Sequence, residues 1–276
     1  MVIFSKYSNL ITEIDIDILY NKNKFYMNNI YGLVTVRSES SRLPRKCFLQ
    51  LNNKSILENV IDRCNHYGII PIICTTISKS DNSIEELSKK LNVKIYRGSV
   101  RNKMLRWLRC TEIYSLKDFH TIDADDPFFD GNLVIRSIKI RREKNLDFIK
   151  PSIYSSNGSG SVGYSISSNY LKKIIENTDD SSDTEMINEF IESGQNHTST
   201  IIEEDPILDY QIRLTLDYKE DFWLLASISR ILGPLPERDK IIKLFEDNPD
   251  LHKINLFRNS EWALRQKELL SKQNDN

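Results

Sequence analysis

The feature that most constrains the fold is a repeated alternation of short apolar runs and amphipathic segments. Runs at Tyr31–Val36, Ile69–Cys74, Val93–Tyr96 and Phe119–Ile122 are typical of buried strands. The segments between them carry apolar residues at helical spacing, as around Met104–Leu108. This β–α alternation predicts right-handed crossovers and a mainly parallel sheet, which is an α/β fold.

Two helix starts are marked by their polar residues. Ser55 with Glu58, and Ser83 with Glu86, match the capping box, in which the two side chains satisfy each other's backbone amides. The sequence therefore predicts helices beginning at these two serines.

The second half of the chain predicts completion of the same sheet, with a small lid or dimerisation lobe. A turn-rich segment lies at 155–161. The expected strands are Val162–Ser167, Ser199–Glu203 and Ile212–Leu216, and the expected helices are Leu133–Ile140, Asn169–Glu176, Thr184–Ser193 and Lys219–Leu232. Further helices follow Gly233–Pro236, from about residue 238, with a break near Pro249.

Composition excludes several classes of protein. The net charge of −1 argues against broad binding of nucleic acid. No apolar run approaches the ~20 residues of a membrane helix. The four cysteines and four histidines are scattered without zinc-binding spacing, and unpaired thiols suit a reducing cytoplasm. We therefore expect a cytoplasmic protein with no nucleic-acid or membrane partner.

The expected domain organisation is an N-terminal arm, 1–26, followed by one domain, 27–276. The arm carries Glu13, Asp15 and Asp17, which a signal peptide would not. Ile14, Ile16 and Ile18 alternate in the manner of an edge strand or dimer arm, so the sequence leaves a homodimer open.

A basic loop follows the first predicted strand. Arg37, Arg42, Arg45 and Lys46 fall within ten residues, together with three serines. Ligands of open α/β sheets bind at the carboxyl ends of the strands, and arginine and lysine suit a polyphosphate there. A solvated basic loop is the alternative, and charge alone does not separate the two interpretations.

The order of the loop residues, Arg-x-x-Ser-x-Arg-Leu-Pro-x-Lys, resembles the nucleotide-binding signature of cytidylyltransferases that activate sugars and sugar acids. The spore-coat-polysaccharide branch of that family is the most similar. The resemblance continues in order to near residue 260, through Ser55–Arg63, Tyr96–Ser99, Asp123–Asp130 and Arg213–Asp217. These segments match the family's first helix, its Arg-Gly segment, its Gly-Asp-x-Pro motif and its late Leu-Thr-x-Asp segment.

This resemblance implies a fold, a reaction and a set of residues. The fold would be the three-layer, Rossmann-like fold of nucleotide-diphospho-sugar transferases. The reaction would be transfer of CMP from CTP to a sugar acid or sugar phosphate for surface polysaccharide, with Mg²⁺ as cofactor and release of pyrophosphate. The implied catalytic residues are Arg37, Lys46 and Asp125, the nucleotide-binding residues are Arg37, Ser40, Ser41, Arg42, Lys46 and Arg97, and the metal ligands are Asp125 and Asp217.

The residues themselves leave alternatives to some of these roles. Asp125 and Asp217 follow predicted strands and could reach one cleft, although strand-end aspartates also cap helices. Asp126 and Asp130 fit capping better. For Arg97 a structural ion pair is an equal alternative, and for Asp183 a helix N-cap is favoured over a role beside the acceptor.

Several positions depart from the family pattern and leave the acceptor open. Glu39 and Arg45 stand where small residues are common, Asn102 where aspartate is, and Tyr164 where glutamate is. Asp123-Ala124 replaces a Thr-Gly pair.

Two competing functions remain from the sequence. Asp123-x-Asp125 looks like the metal motif of glycosyltransferases that use nucleotide sugars. A non-catalytic nucleotide-binding relative on the same fold is the second, since fold alone does not give function. Release of pyrophosphate separates a cytidylyltransferase from both.

Overall fold

The structure is a computed structural model that describes residues 29–152, 160–194, 196–204 and 208–265. The predicted arm, 1–26, and most of the predicted turn-rich segment lie outside these residues. The described residues from Tyr31 onward group into one compact unit. The strands are β1 (Ile30–Thr35), β2 (Gln50–Leu51), β3 (Lys54–Ser55), β4 (Ile69–Thr76), β5 (Lys94–Gly98), β6 (Asp118–Asp123), β7 (Phe148–Lys150), β8 (Ser165–Ser167) and β9 (Ser199–Ile201).

Seven of these strands form one sheet, in the order β5-β4-β1-β6-β8-β7-β9. β1 pairs with β6 in parallel, with Thr35 opposite Asp123. β4 and β5 are parallel, as are β7 and β9, whereas β8 is antiparallel to both of its neighbours. The predicted α/β fold with a mainly parallel sheet is therefore confirmed. β2 and β3 form a separate small hairpin.

The helices connect and cover these strands. They are α1 (Ile56–His66), α2 (Asn82–Leu91), α3 (Lys103–Ile113), α4 (Gly131–Glu143), α5 (Ser168–Ile174), α6 (Ile187–Ser193), α7 (Lys219–Leu232) and α8 (Arg238–Asp247). Short 3-10 helices lie at Lys46–Phe48, Lys79–Asp81 and Pro249–Ile254, and residues 258–265 are helical. None of the helices in the described ranges is long and apolar enough to cross a membrane.

Local sequence explains most helix starts. Ser55 and Glu58 form the predicted capping box at α1. Asp130 caps α4, since its side chain accepts hydrogen bonds from the backbone amides of Asn132 and Leu133. The capping box predicted at Ser83 is wrong, because α2 already begins at Asn82 and places Ser83 inside its first turn.

Two strand predictions need correction, and one strand was not predicted. Ile212–Leu216 is not a strand, and its backbone is joined to the loop after β6 by a hydrogen bond from Leu216 N to Asp125 O, 2.8 Å. β8 starts only at Ser165, because Gly163 has a φ of +81° against the backbone of Thr121. The short strand β7 was not predicted.

Two hydrophobic cores lie within the described residues. The first, the sheet core, joins β1, β4 and β6 to α3, α5 and α6, and includes Leu33, Ile72, Met104, Trp107, Phe119 and Ile191. The second, the C-terminal core, joins α7 and α8 to α1 and the segment before Asp217, and includes Ile56, Phe128, Leu214, Leu216, Leu224 and Phe245. β6 therefore contributes Phe119 to the sheet core, and the loop that follows β6 contributes Phe128 to the C-terminal core.

Candidate functional site

The strand order reverses beside β1. The chain runs outward from β1 to β4 and β5, and then returns to place β6 on the other side of β1. In open α/β sheets ligands bind at such a switch point, outside the carboxyl ends of the strands. The basic loop, 37–46, leaves β1 there, and the acidic loop, 123–130, leaves β6 at the same edge.

The basic loop is folded by its own backbone. Ser38 is buried, and its carbonyl accepts a hydrogen bond from Arg45 N at 3.1 Å. Arg45 lies in the left-handed region with φ 57° and turns the chain into the 3-10 helix that begins at Lys46. The family's common glycine at this position would adopt that conformation without strain. The turn directs the Lys46 side chain into the site.

Lys46 is the centre of the site. Its Nζ donates to Asp125 Oδ2 at 2.6 Å, to Asp217 Oδ1 at 2.9 Å and to the carbonyl of Leu216 at 2.8 Å. Burial by itself would lower the pKa of Lys46, but the charges of Asp125 and Asp217 outweigh it and hold that pKa above its ordinary value. Lys46 is therefore a fixed cation between two carboxylates.

Asp217 is held by three cations. Besides Lys46, Arg42 Nη2 lies 2.5 Å from its Oδ1 and Arg213 Nη2 lies 3.2 Å from its Oδ2. Burial would raise the pKa of Asp217, but Lys46 and Arg42 outweigh it and hold that pKa far below its usual range. Arg213 is itself buried and paired with Asp221 at 2.9 Å. The sequence interpretation did not identify this supporting pair.

Asp217 lies in the site although the segment before it, 212–216, is not a strand. The hydrogen bond from Leu216 N to Asp125 O lays the end of segment 212–217 against the acidic loop. The two aspartates that were expected to follow strands are thus brought to the same lysine, although only Asp125 follows one.

The acidic loop presents a cluster of carboxylates. One oxygen from each of Asp123, Asp125 and Asp126 lies within 4.8 Å of the others. Asp126 is buried and accepts a hydrogen bond from Thr215 Oγ1 at 2.5 Å, and burial, followed by the charge of Asp125, raises its pKa well above the ordinary value. Asp123 and Asp125 are more exposed and offer the hard oxygen ligands that Mg²⁺ prefers. The donor set therefore fits a divalent cation, with Asp126 in a supporting position.

A second buried lysine faces the cluster. Lys103, in the first turn of α3, has its Nζ 3.1 Å from Asp123 Oδ1. Burial would lower the pKa of Lys103, but Asp123 and Glu185 outweigh it and raise that pKa, so the side chain stays cationic. The sequence analysis did not identify Lys103. The sequence feature that could have indicated it is a lysine directly after Asn102, the N-cap of α3.

The other predicted residues are less uniform in position. Arg37 is 53% exposed at its side chain and lies 3.7 Å from Glu185. Ser40 Oγ accepts a hydrogen bond from Leu43 N, and Ser41 Oγ accepts one from Arg265. Arg37, Ser40 and Ser41 thus remain on the basic loop at the rim of the site, and their nucleotide-binding role remains a prediction.

Arg97 is engaged elsewhere. It pairs with Glu85 of α2 at 2.6 Å and donates to the carbonyls of Thr76 and Ser78 at 2.9 Å and 2.7 Å. These contacts favour the structural alternative that the sequence left open.

The positions that depart from the family pattern have defined surroundings. Asn102 caps α3 and donates to the carbonyl of Asp179 at 2.7 Å, which a carboxylate could not do. Glu39 is exposed. Tyr164 interacts through its hydroxyl with Glu192. The favoured N-cap role for Asp183 is wrong, because α6 begins after Met186; Asp183 instead accepts a hydrogen bond from Glu185 N.

Glu185 lies among cations. Desolvation in the cleft would raise its pKa, whereas Lys103 and Arg37, and then Arg106 and Lys46, lower it and prevail. This carboxylate therefore marks a place where cations from the basic loop and from α3 converge.

Comparison with known proteins agrees with this geometry. The sequence model described as cytidylyltransferase matches residues 31–163. The spore coat polysaccharide biosynthesis protein SpsF of Bacillus subtilis is 23% identical in an alignment of 246 residues that covers 81% of this chain and 97% of SpsF. The match to the sequence model, over residues 31–163, covers both the basic loop and the acidic loop.

Two solved structures share the fold. A cytidylyltransferase from Leptospira borgpetersenii superposes with a TM-score of 0.71 at 20% identity, over 81% of this chain and 96% of that one. CMP:2-keto-3-deoxy-manno-octonic acid synthetase, complexed with CTP, gives a TM-score of 0.55 at 11% identity, over 74% and 99%. Residues 31–163, which include both loops of the site, thus match the cytidylyltransferase family, and the chain shares the fold of a solved cytidylyltransferase.

Proposed function

We propose that this protein transfers CMP from CTP to a sugar acid or sugar phosphate and releases pyrophosphate, for surface polysaccharide synthesis. The observation that carries the proposal is Lys46 between Asp125 and Asp217 at the switch point of the sheet. Basic and acidic groups in direct contact at one cleft are what a metal-bound triphosphate requires, because it needs both cationic donors and oxygen ligands. SpsF, named for spore coat polysaccharide, supports the choice of pathway class.

The basic loop would bind the triphosphate. Arg42 and Lys46 are paired with carboxylates in this structure, so they are already held as cations at the site. Arg37 is free enough at the rim to reach a phosphate from the outside. In a partly desolvated cleft such donors stabilise charge that develops on the phosphates during transfer.

Asp125 and Asp217 would hold a divalent cation, with Asp123 close enough to Asp125 to share it. When bound, Mg²⁺ supplies neutralisation of the α-phosphate and of the departing pyrophosphate. The residues themselves orient the nucleotide, and no side chain is needed as a covalent nucleophile.

The acceptor would lie beside Glu185, Lys103 and Arg37. Cations from two elements meet there, which suits an acceptor carrying a carboxylate or a phosphate. The altered positions have defined partners: Asn102 donates to the carbonyl of Asp179 and accepts from Thr184, the residue before Glu185, and Tyr164 interacts with Glu192.

A screen for pyrophosphate release tests the proposal. The four nucleoside triphosphates are offered with Mg²⁺ against a panel of sugar acids and sugar phosphates, and release is expected with CTP and an acidic acceptor. The Asp125→Asn variant is the matched control for contaminating activity.

Other outcomes favour the alternatives. Asp123 and Asp125 are neighbours in the cluster, so a glycosyltransferase motif is structurally intact. Release of a nucleoside diphosphate from a nucleotide sugar would favour that enzyme. Binding of CTP without turnover across the whole panel would favour a non-catalytic relative.

The cellular setting belongs to the same proposal. All four cysteines are buried free thiols, as a reducing cytoplasm allows. Size-exclusion chromatography with light scattering would test the homodimer that the sequence leaves open.

A further inference from the structure

A buried carboxylate lies behind the basic loop. Asp81 ends the 3-10 helix Lys79–Asp81, next to the carboxyl end of β4, and is 1% exposed. Its hydrogen bonds within the described residues come from backbone amides and hydroxyl groups, and none comes from a cationic side chain. A buried carboxylate is costly unless every donor around it is well placed, so this arrangement requires an explanation.

The two oxygens of Asp81 face different parts of the chain. Oδ1 accepts from Ser38 N at 2.8 Å, and it lies 2.7 Å from Ser38 Oγ, whose one proton it shares with the carbonyl of Ser80 at 2.8 Å. Oδ2 accepts from Thr75 Oγ1 at 3.0 Å, from Thr76 N at 3.2 Å and from Thr76 Oγ1 at 2.5 Å. One oxygen therefore holds the start of the basic loop, and the other is fixed to the end of β4.

Ser38 passes this anchorage on to Lys46. Its carbonyl accepts from Arg45 N at 3.1 Å, which closes the loop on itself. Lys46 is the next residue, and Lys46 N donates to the carbonyl of Leu43 at 3.2 Å. A chain of short contacts thus runs from the rigid strand end, through Asp81 and Ser38, to the residue that contacts both Asp125 and Asp217.

We propose that Asp81 is a positioning residue, which fixes the basic loop on β4 and so keeps Lys46 between Asp125 and Asp217. The consequence for CTP rests on the proposed function, whereas the placement of Lys46 does not. A carboxylate suits this role because it accepts on both oxygens at once. An amide has one accepting oxygen, and its NH₂ group would face donors on one side.

Three variants separate positioning from general stability. Asp81→Asn changes the anchor itself, and Ser38→Ala removes one hydroxyl on the loop side. Thr75→Val removes one hydroxyl on the strand side and is the matched control, because Thr75 contacts the other oxygen of Asp81.

The first measurement is the rate at which an amine-acylating reagent modifies Lys46, read by mass spectrometry. Lys243, 65% exposed, is the internal reference in every variant. We expect Asp81→Asn and Ser38→Ala to raise Lys46 modification about fivefold or more, because its ammonium leaves its carboxylate partners. Thr75→Val should leave it within about twofold, because Oδ2 of Asp81 keeps both of its hydrogen bonds from Thr76.

The second measurement is the kinetics of CTP turnover with the thermal midpoint beside it. We expect KM for CTP to rise about tenfold in Asp81→Asn and Ser38→Ala, since small displacements of binding groups are costly. Thr75→Val should lower the midpoint without changing KM. If Asp81→Asn does not fold, Ser38→Ala decides the question.

The outcomes distinguish the two ideas. Unchanged Lys46 modification in Ser38→Ala, or an equal rise in Thr75→Val, would overturn the positioning role. If Lys46 modification increases in Ser38→Ala, but even the protein without substitutions shows no CTP turnover, the positioning role stands and the proposed reaction is refuted.

Discussion

Nζ of Lys46 lies 2.6 Å from Oδ2 of Asp125 and thereby joins the loop after β1 to the loop after β6. The same ammonium also contacts Asp217, so one lysine bridges both proposed metal ligands. A divalent ion and Lys46 would compete for these oxygens. Binding of metal and binding of triphosphate are therefore expected to be coupled, because a phosphate offers Lys46 another partner.

Asp125→Asn should abolish turnover in a folded protein. An amide is a poorer ligand for a divalent ion and removes one charge that the site requires. We expect pyrophosphate release to fall by about 100-fold or more, by analogy with the loss of other charge-stabilising groups. Asp250→Asn, at a side chain 84% exposed, is the control and should keep full activity. Full activity of Asp125→Asn at saturating Mg²⁺ would exclude this residue as a ligand.

Lys46→Met should have opposite effects on the two ligands. CTP affinity should fall at least about tenfold, or ~1.4 kcal/mol, because a cationic donor is lost. Affinity for Mn²⁺ without nucleotide should rise, because its competitor for Asp125 and Asp217 is gone. Isothermal titration of each ligand measures both.

The same change should also lower stability, by about 1–3 kcal/mol, since buried Asp217 loses one partner. Lys54→Met is the matched control at a side chain 54% exposed, with an expected change within about 0.5 kcal/mol. A fall in metal affinity in Lys46→Met would contradict the competition.

Arg45→Gly should be more stable than Arg45→Ala. Arg45 has φ 57°, where a Cβ costs about 1–2 kcal/mol that glycine avoids. Comparison with alanine, rather than with arginine, removes the contribution of the guanidinium stacked on Phe48. Urea denaturation gives the difference, and equal stabilities would show that the turn carries no such strain.

Stability should rise with pH between about 4 and about 6.5 because of His120. Burial lowers the pKa of this fully buried imidazole to about 4, from 6.5 in the unfolded chain. In that window the unfolded state binds the proton and the folded state does not, so the contribution is complete above 6.5 and lost towards 4. Each pH unit is worth ~1.4 kcal/mol.

The measurement is urea denaturation from pH 4 to pH 7. The free energy of unfolding of His120→Gln should depend less steeply on pH than that of the protein without substitutions. Phe119→Leu, a buried neighbour without a titratable group, should be less stable at every pH with the slope unchanged. An unchanged slope in His120→Gln would assign the pH dependence to other groups.

Residues 27–276 should fold and bind CTP without 1–26. The first strand begins at Ile30, and chain ends often tolerate truncation when their backbone is not paired. A protein starting at Met27 is compared with the full chain by circular dichroism and CTP titration. Loss of folding would show that the domain boundary lies further upstream.

The parts of the fold that the sequence predicted are those set by local interactions. The capping box at Ser55 was visible because its two residues lie three positions apart. The same pattern at Ser83 failed, since the preceding 3-10 turn ending at Asp81 starts the helix one residue earlier. Segment 212–216 has the composition of a strand, but strand formation needs a neighbouring strand, which composition does not encode.

The site was predictable where a motif placed charges at strand ends. Arg42, Lys46, Asp125 and Asp217 are brought together as the ordered motifs suggested. The partner of Arg97 was not predictable, because Glu85 reaches it from a helix whose rotation follows from tertiary packing. Asp81 was missed for the same reason, since its link to Ser38 spans 43 positions in sequence.

The position of Asp217 has a consequence for amino-acid substitutions in the core of this protein. Asp217 follows a segment packed into the C-terminal core, whereas Lys103 and Trp107 belong to α3 and the sheet core. The candidate site thus lies between residues supported by two different hydrophobic cores. A substitution such as Phe245→Leu in α8 is therefore expected to loosen the core that holds the segment before Asp217, and so to reduce turnover as well as stability.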